Sequence, residues 1–236
     1  MRKITVLTTG VWMALGLATA GLATAQSGPV VVELYTSQGC SSCPPADAFL
    51  GKLAQRGDVI ALSLHVDYWD YIGWKDIFAS PKFTARQHAY ARAAGKRMVY
   101  TPQMVVAGQD LVVGTKFADV GRLIKAHQAV PARVDLSIVR TGAKLQISVK
   151  PLAKGLGDMV VQMVRFKGGQ SVQIKRGENA GRDLVYHNVV TEWSVLKTWD
   201  GTSPLVFSAQ ISGDDECVII VQAAGHGAVL AAARVR

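Results

Sequence analysis

The stretch Val30-Val31-Val32-Glu33-Leu34-Tyr35-Thr36-Ser37-Gln38-Gly39-Cys40-Ser41-Ser42-Cys43-Pro44-Pro45-Ala46-Asp47 decides how this chain is read. Val30 to Tyr35 is a short apolar, β-branched run of the kind that fills a core strand. Gly39 and a Cys-Ser-Ser-Cys loop follow. Pro44 and Pro45 then stand where a helix begins, because a proline in the first turn gives up an N–H that has no helical partner there. Ala46, Phe49, Leu50, Leu53 and Ala54 recur at helical spacing, which predicts a helix over 46–55 that Gly57 stops. The cysteine pair thus falls at a strand-to-helix junction. Cys40 is expected to be exposed just ahead of the helix, where unpaired N–H groups and the helix dipole favour a thiolate. Cys43, inside the first turn, is expected to be the more buried, resolving thiol.

A C-x-x-C spacing serves two chemistries: it closes a small, reversible disulfide, and it supplies half of a zinc site. A structural zinc usually takes four Cys/His ligands, and no second C-x-x-C or H-x3-H occurs in the sequence. Redox chemistry is the better reading, with no metal expected. The third cysteine, Cys217, sits in Glu216-Cys217-Val218-Ile219-Ile220-Val221. That run reads as a buried strand, and its thiol as an inert core group.

After the helix comes a second core strand, Val59-Ile60-Ala61-Leu62-Ser63-Leu64, running into His65-Val66-Asp67-Tyr68-Trp69-Asp70. Sites in parallel α/β sheets gather at the carboxyl ends of strands, so this polar-aromatic cluster is placed beside the cysteines. Two readings stand. In one, His65 or Asp67 relays a proton while Tyr68, Trp69 and Trp74 wall a substrate groove. In the other, the aromatic side chains pack under an insertion and His65 is simply hydrogen-bonded. Ser80 and Pro81 cap and open a helix over 82–94. Its basic residues, Lys82, Arg86 and Arg92, read as a solvated face. A hairpin signal follows, from Val99 through Thr101-Pro102-Gln103 to Val106, turning at Ala107-Gly108-Gln109-Asp110 and returning through Leu111 to Gly114. Phe117 to Ala129 reads as a closing helix.

This order of elements resembles the thioredoxin superfamily. More narrowly, Glu33 to Asp47, His65 to Trp74 and Tyr100-Thr101-Pro102-Gln103 resemble the signatures of a family of secreted bacterial proteins known only as a domain of unknown function. The resemblance implies a thioredoxin-like fold with Pro102 in the cis form facing the cysteine pair. It supplies no substrate. Two departures from ordinary thioredoxin stand out. The loop is Ser-Ser instead of Gly-Pro, so no redox potential carries over. Thioredoxin's buried acid, six residues before its first cysteine, falls on Leu34, and its tryptophan just before that cysteine falls on Gly39. The proton-relay role is therefore open, with Glu33, His65 and Asp67 as candidates.

The chain opens Met1-Arg2-Lys3, continues apolar from Ile4 to about Ala25 and ends in Ala23-Thr24-Ala25. A charged start, an apolar middle and an A-x-A end make a secretory signal. Residues 1–25 are expected to be cleaved, leaving a mature start at Gln26 and no membrane anchor. The location expected is a bacterial periplasm or the extracellular space, where disulfides persist. Removing Arg2 and Lys3 takes the formal charge from +9 to +7. No run of basic residues interleaved with aromatics occurs, so nucleic-acid binding is not expected.

Residues 26–130 are thus read as a thioredoxin-like α/β domain. Pro131 marks a boundary, and residues 131–236 are read as an all-β, sandwich-like domain. Arg133 to Ile138 and Lys144 to Lys150 alternate around Thr141-Gly142, an antiparallel hairpin with one buried face. Further strands are expected at 159–166, 205–211, 217–223 and 228–235. Arg176-Gly177-Glu178-Asn179-Ala180-Gly181-Arg182, continuing through Tyr186-His187-Asn188-Val189-Val190, resembles another signature of the same family. It is read as a turn, with a carboxylate-binding loop or a flap over the cysteines as alternatives.

The function expected is a thiol–disulfide oxidoreductase acting on protein disulfides. Cys40 forms a mixed disulfide, Cys43 resolves it, and Thr101 and Pro102 hold the partner chain as an added strand. Its partners are cysteine-containing exported proteins and a redox partner. No cofactor is expected, because the redox equivalent is the cysteine pair itself. Two alternatives remain at this stage: a Cu(I)-binding or delivery protein using the pair, with His65 or Met104 nearby, and a binding module with a static disulfide.

Overall fold

The structure, a computed structural model, describes residues 28–235. The expected leader at 1–25 lies outside them. Among the described residues no helix is long and apolar enough to cross a membrane. The described residues form a mixed α/β protein with one large sheet, one small sheet and three α-helices.

Strand β1 (Val30–Thr36) and strand β2 (Val59–His65) pair in parallel from Val30↔Val59 to Thr36↔His65. Every residue in both is buried, as expected of parallel strands covered on both faces. Alternation divides their side chains between two cores. Val32, Leu34, Val59 and Ala61 face helices α1 (Pro44–Ala54) and α3 (Phe117–Gln128), where they meet Leu50, Leu53, Val120 and Ile124. Val31, Tyr35, Ile60, Leu62 and Leu64 face the opposite way, toward Phe83 and Tyr90 of helix α2 (Pro81–Ala93). Ser80 caps α2 with its hydroxyl on the Lys82 N–H, and Pro81 opens it. Strand β3 (Gln103–Val106) runs antiparallel to β1, with Gln103 opposite Tyr35, and returns as edge strand β4 (Asp110–Val113).

Beyond α3 the described residues contain only strands: β5 (Val134–Thr141), β6 (Lys144–Pro151), β7 (Met159–Gln173), β8 (Asp183–Trp199), β9 (Leu205–Gln210), β10 (Glu216–Ala223) and β11 (Val229–Arg234). Strands β5, β6 and β9 form the small sheet. It packs on the β7–β10 part of the large sheet through Leu145, Ile147 and Val149 against Val161, Ile219 and Val221.

The large sheet has the order β11-β10-β7-β8-β2-β1-β3-β4, so position 131 does not divide it. The joint is β8, which the sequence reading takes as a turn and does not count among the strands. It pairs with β7 along nearly its whole length and meets β2 in parallel at Ser63↔Val189. Asn188, at φ 51, donates its side-chain amide to the Ala61 carbonyl at 2.8 Å. Gly51 of α1 lies so close to β8 that a Cβ there would stand 2.5 Å from the His187 ring. The sheet also curls: the Val229 N–H on β11 bonds the Ala107 carbonyl beyond β3, and Arg234 bonds the Val59 carbonyl, both at 2.8 Å.

The concave side of the curl holds a buried polar network. Arg86 of α2 grips Glu33 of β1 at 2.8 and 2.9 Å, reaches Gln222 of β10 and lies 3.6 Å over the Trp193 ring of β8. Arg86 is read from the sequence as part of a solvated face, but it is 8% exposed. Its charge is compensated by Glu33, the usual condition for a cation in a core.

Candidate functional site

Strand β1 ends at Thr36, and the chain turns through Ser37, Gln38 and Gly39 into Cys40. Cys40 and Cys43 form a disulfide with Cα atoms 5.4 Å apart. Cys43 is the N-cap of α1, already helical at φ −78 and ψ −36, and its carbonyl accepts the N–H groups of Ala46 and Asp47. The register places Gln103 opposite Tyr35, so the preceding Thr101–Pro102 peptide, which is cis, lies at the end of β1 from which the cysteine loop departs.

Cys40 is not exposed. It is 1% accessible and Cys43 is fully buried, while Ser41 and Ser42 between them face solvent. The expectation of an open Cys40 fails because two distant segments cover the loop. From the connection between β7 and β8, the buried Asn179 side-chain amide donates to the carbonyls of Gln38 at 2.9 Å and Cys40 at 3.0 Å, and Arg182 bonds the Asn179 oxygen. From the segment after β2, Trp74 Nε1 donates to Gln38 Oε1 at 2.8 Å. Trp69 covers Gly39, where a Cβ would meet Trp69 Cβ at 3.3 Å. Gly177, at φ +76, lies against Trp74, so the two covering segments also touch. The Arg176–Arg182 stretch is thus a turn that reaches the cysteine loop and is held to its backbone through Asn179.

Of the candidates around the pair, Trp69 stands nearest to the cysteine loop and the cis-proline segment together: its indole N–H donates to Thr101 Oγ1 at 2.8 Å. Tyr68 reaches the same region through Gln87, which also holds the Tyr100 carbonyl and Gln103. Burial pushes the Tyr68 hydroxyl up to about 12. His65 is fully buried, with Nδ1 2.6 Å from Asp76 Oδ2 and its ring edge-on to Phe78 and Tyr186. The same Asp76 oxygen accepts the Gln38 N–H, which ties the histidine to the cysteine loop.

Two candidates are engaged elsewhere. The Glu33 carboxylate is satisfied by Tyr35, Tyr90 and both arms of Arg86. Asp67 bonds the Thr84 hydroxyl at 2.5 Å and fixes the insertion to α2. Cys217 is buried on β10, four strands from β1 in the sheet order, and burial pushes its thiol up to about 11. Among the described residues no group of three or more His, Cys, Asp or Glu side chains is placed to hold a metal ion.

Sequence reading missed Asp47. It stands four residues after Cys43 in the first turn of α1 and is buried, with neither oxygen at hydrogen-bonding geometry to a partner. Burial pushes its carboxyl up to about 7, while His65 and Thr36 pull it down and Asp76 pushes it further up. His65 Nε2 and the Tyr186 hydroxyl are likewise buried without a hydrogen bond. The available signal was position: an acid four residues after the second cysteine shares its helix face.

A family model described as a protein of unknown function (DUF1223) matches residues 31–222. The X-ray crystal structure of a protein from Agrobacterium tumefaciens is similar, at 35% identity and TM-score 0.76, with 89% of this chain and 96% of that chain covered. HBP35 of Porphyromonas gingivalis is similar in fold alone, at 15% identity and TM-score 0.61, with 89% of this chain and 76% of that chain covered. No curated protein matches the chain.

Proposed function

The chain belongs to the DUF1223 family, whose description supplies no activity, and from its site we propose that it is a thiol–disulfide oxidoreductase acting on protein disulfides through Cys40 and Cys43. The observation that carries this reading is a two-residue disulfide loop at a strand-to-helix junction, with Cys43 capping α1 and a cis Thr101–Pro102 at the adjoining strand end. On this reading residues 26–130 are a thioredoxin-like unit whose sheet is extended by the strands of 131–236. The chain works in a bacterial periplasm or outside the cell.

The chemistry needs no group beyond the two cysteines. In the reduced protein the Cys40 thiolate attacks one sulfur of a partner disulfide. The partner's S–S bond breaks, one partner thiolate leaves, and a mixed disulfide forms. The Cys43 thiolate then attacks Cys40 Sγ, releases the second partner thiolate and closes the Cys40–Cys43 bond. Two electrons pass from the protein to the partner, and the reverse sequence oxidises a partner dithiol. A partner chain reaches Cys40 only after the Asn179 turn lifts. Thr101 then offers its backbone for an added strand, while the Pro102 carbonyl is held by the Gly114 N–H.

The test is the reduction potential of the Cys40–Cys43 pair, measured by equilibration with glutathione and mass analysis of the alkylated thiols. A potential of about −120 to −230 mV is expected for an exchangeable pair and justifies trapping exported partners with Cys43→Ser. A value below about −300 mV marks a disulfide that resists reduction and replaces this proposal with a static module.

A further inference from the structure

We propose that Asp47, backed by His65 and Asp76, takes and returns the proton of the Cys43 thiol. The inference rests on the oxidoreductase reading and assigns the proton-handling group for that same site.

Placement comes first. Cys43 and Asp47 are four residues apart and joined by the Asp47 N–H to Cys43 carbonyl bond of 3.1 Å, and Cys43 has helical dihedrals. Side chains so related share one helix face with Cβ atoms about 5–6 Å apart. A carboxyl there reaches a thiol directly or through one water.

Capacity comes second. Three acids of the segment after β2 are committed: Asp76 to His65, Gln38 and Phe78, Asp67 to Thr84, and Asp70 to the Asp76 N–H. Both Asp47 oxygens are buried, and the only groups that favour their charge are His65 and the Thr36 hydroxyl. A buried carboxylate with so little compensation is costly in its charged form and readily takes a proton. Its carboxyl, raised by burial to about 7, is poised to change protonation at neutral pH.

Support comes third. The groups facing Asp47 come from each element around it: Thr36 of β1, His65 of β2, Asp76 of the following segment, and Tyr186 of β8. Asp76 holds His65 by Nδ1, leaving Nε2 buried and unpartnered. Thus His65 and Asp76 are positioning residues. A cleft of about 280 Å³, lined by Pro44, Asp47, Ala48, Asp183, Val185 and His187, lies at the same helical turn.

With a partner joined to Cys40, the Cys43 proton moves to the Asp47 carboxylate as Cys43 Sγ bonds Cys40 Sγ. The Cys40–partner bond breaks, and its electron pair leaves on the partner thiolate. In reverse, a partner thiolate attacks Cys40, and Cys43 leaves and recovers its proton from the Asp47 carboxyl.

The experiment follows reoxidation of the reduced protein by oxidised glutathione in stopped flow, from pH 5.5 to 9, for wild type, Asp47→Asn, Asp47→Glu and His65→Gln. General-base help is worth about 10²–10⁴-fold, so Asp47→Asn is expected to slow the resolving step at least about tenfold at pH 8 and to lose the inflection near pH 7. Asp47→Glu keeps an inflection, and His65→Gln moves it. Superimposed profiles for wild type and Asp47→Asn overturn the proposal. A carboxyl-labelled NMR titration of wild type gives a check independent of variant folding: the Asp47 pKa is expected to differ between disulfide and dithiol forms, and equal values overturn the proposal. Both readouts remain measurable with a stronger oxidant and reductant pair if the disulfide proves too stable for glutathione, so failure of the functional reading is distinguishable from failure of this one.

Discussion

Asp47 carries two opposing consequences in one side chain. Its carboxyl lies near 3.8 in an unfolded chain and about 7 in the fold, raised by burial. A group raised in this way favours the folded state fully below about pH 4, and that contribution is lost as the pH rises through about 7. Each unit of difference is worth about 1.4 kcal/mol, so the loss is on the order of 4 kcal/mol by pH 8. Asp47→Asn, with the disulfide intact, is therefore expected to stabilise the protein more at pH 8 than at pH 4.5. Thermal melts of both proteins at both pH values check it, and an equal difference at the two refutes it. The same scale shows why Asp47 escapes a sequence reading: an acid in a first helical turn is ordinarily explained by the dipole alone. Leu34 and Gly39, at positions before Cys40, are legible. What occupies the space beside Gly39, Trp69 from 30 residues onward, depends on a tertiary contact that spacing does not carry.

Elements with one strong period are legible, and the others are not. Strands β1 and β2 are continuous apolar runs, α1 and α2 open with prolines, and β5 with β6 alternates cleanly. Strand β8 has none of these signals. Its burial is irregular along 17 residues, its pairing with β7 shifts register twice, and Asn188 breaks the extended backbone with a positive φ. The turn that precedes β8 is held to the cysteine loop chiefly through Asn179. Asn179→Ala removes both bonds to the loop carbonyls and is expected to speed reduction of the disulfide by dithiothreitol several-fold at fixed pH, because local opening then costs less. Stopped-flow tryptophan fluorescence reads the rate, and an unchanged rate shows that the turn does not limit access.

At the scale of the whole molecule, the interior network joins segments that a two-unit reading separates. Glu33 and Arg86 lie before residue 131, whereas Gln162, Trp193 and Gln222 lie after it, yet they form one connected set. Removing one partner of a buried ion pair leaves an uncompensated charge and costs about 3–5 kcal/mol. Arg86→Met is expected to lower stability by that amount in urea titration and to lower it for both halves in a single transition. Two transitions, with only one displaced, would show that the halves melt independently. The switch from helices to strands after Pro131 is legible, but composition does not tell whether the strands that follow build a new sheet or extend an existing one.

The cover over the cysteine loop comes from far along the chain: Asn179 stands 139 residues after Cys40. A polypeptide that emerges from its N-terminus therefore presents both cysteines long before the segment that hides them. Until that segment arrives, the Asn179 bonds that close over the loop cannot form, so the covered state of the pair is a property of the finished fold and not of the loop itself.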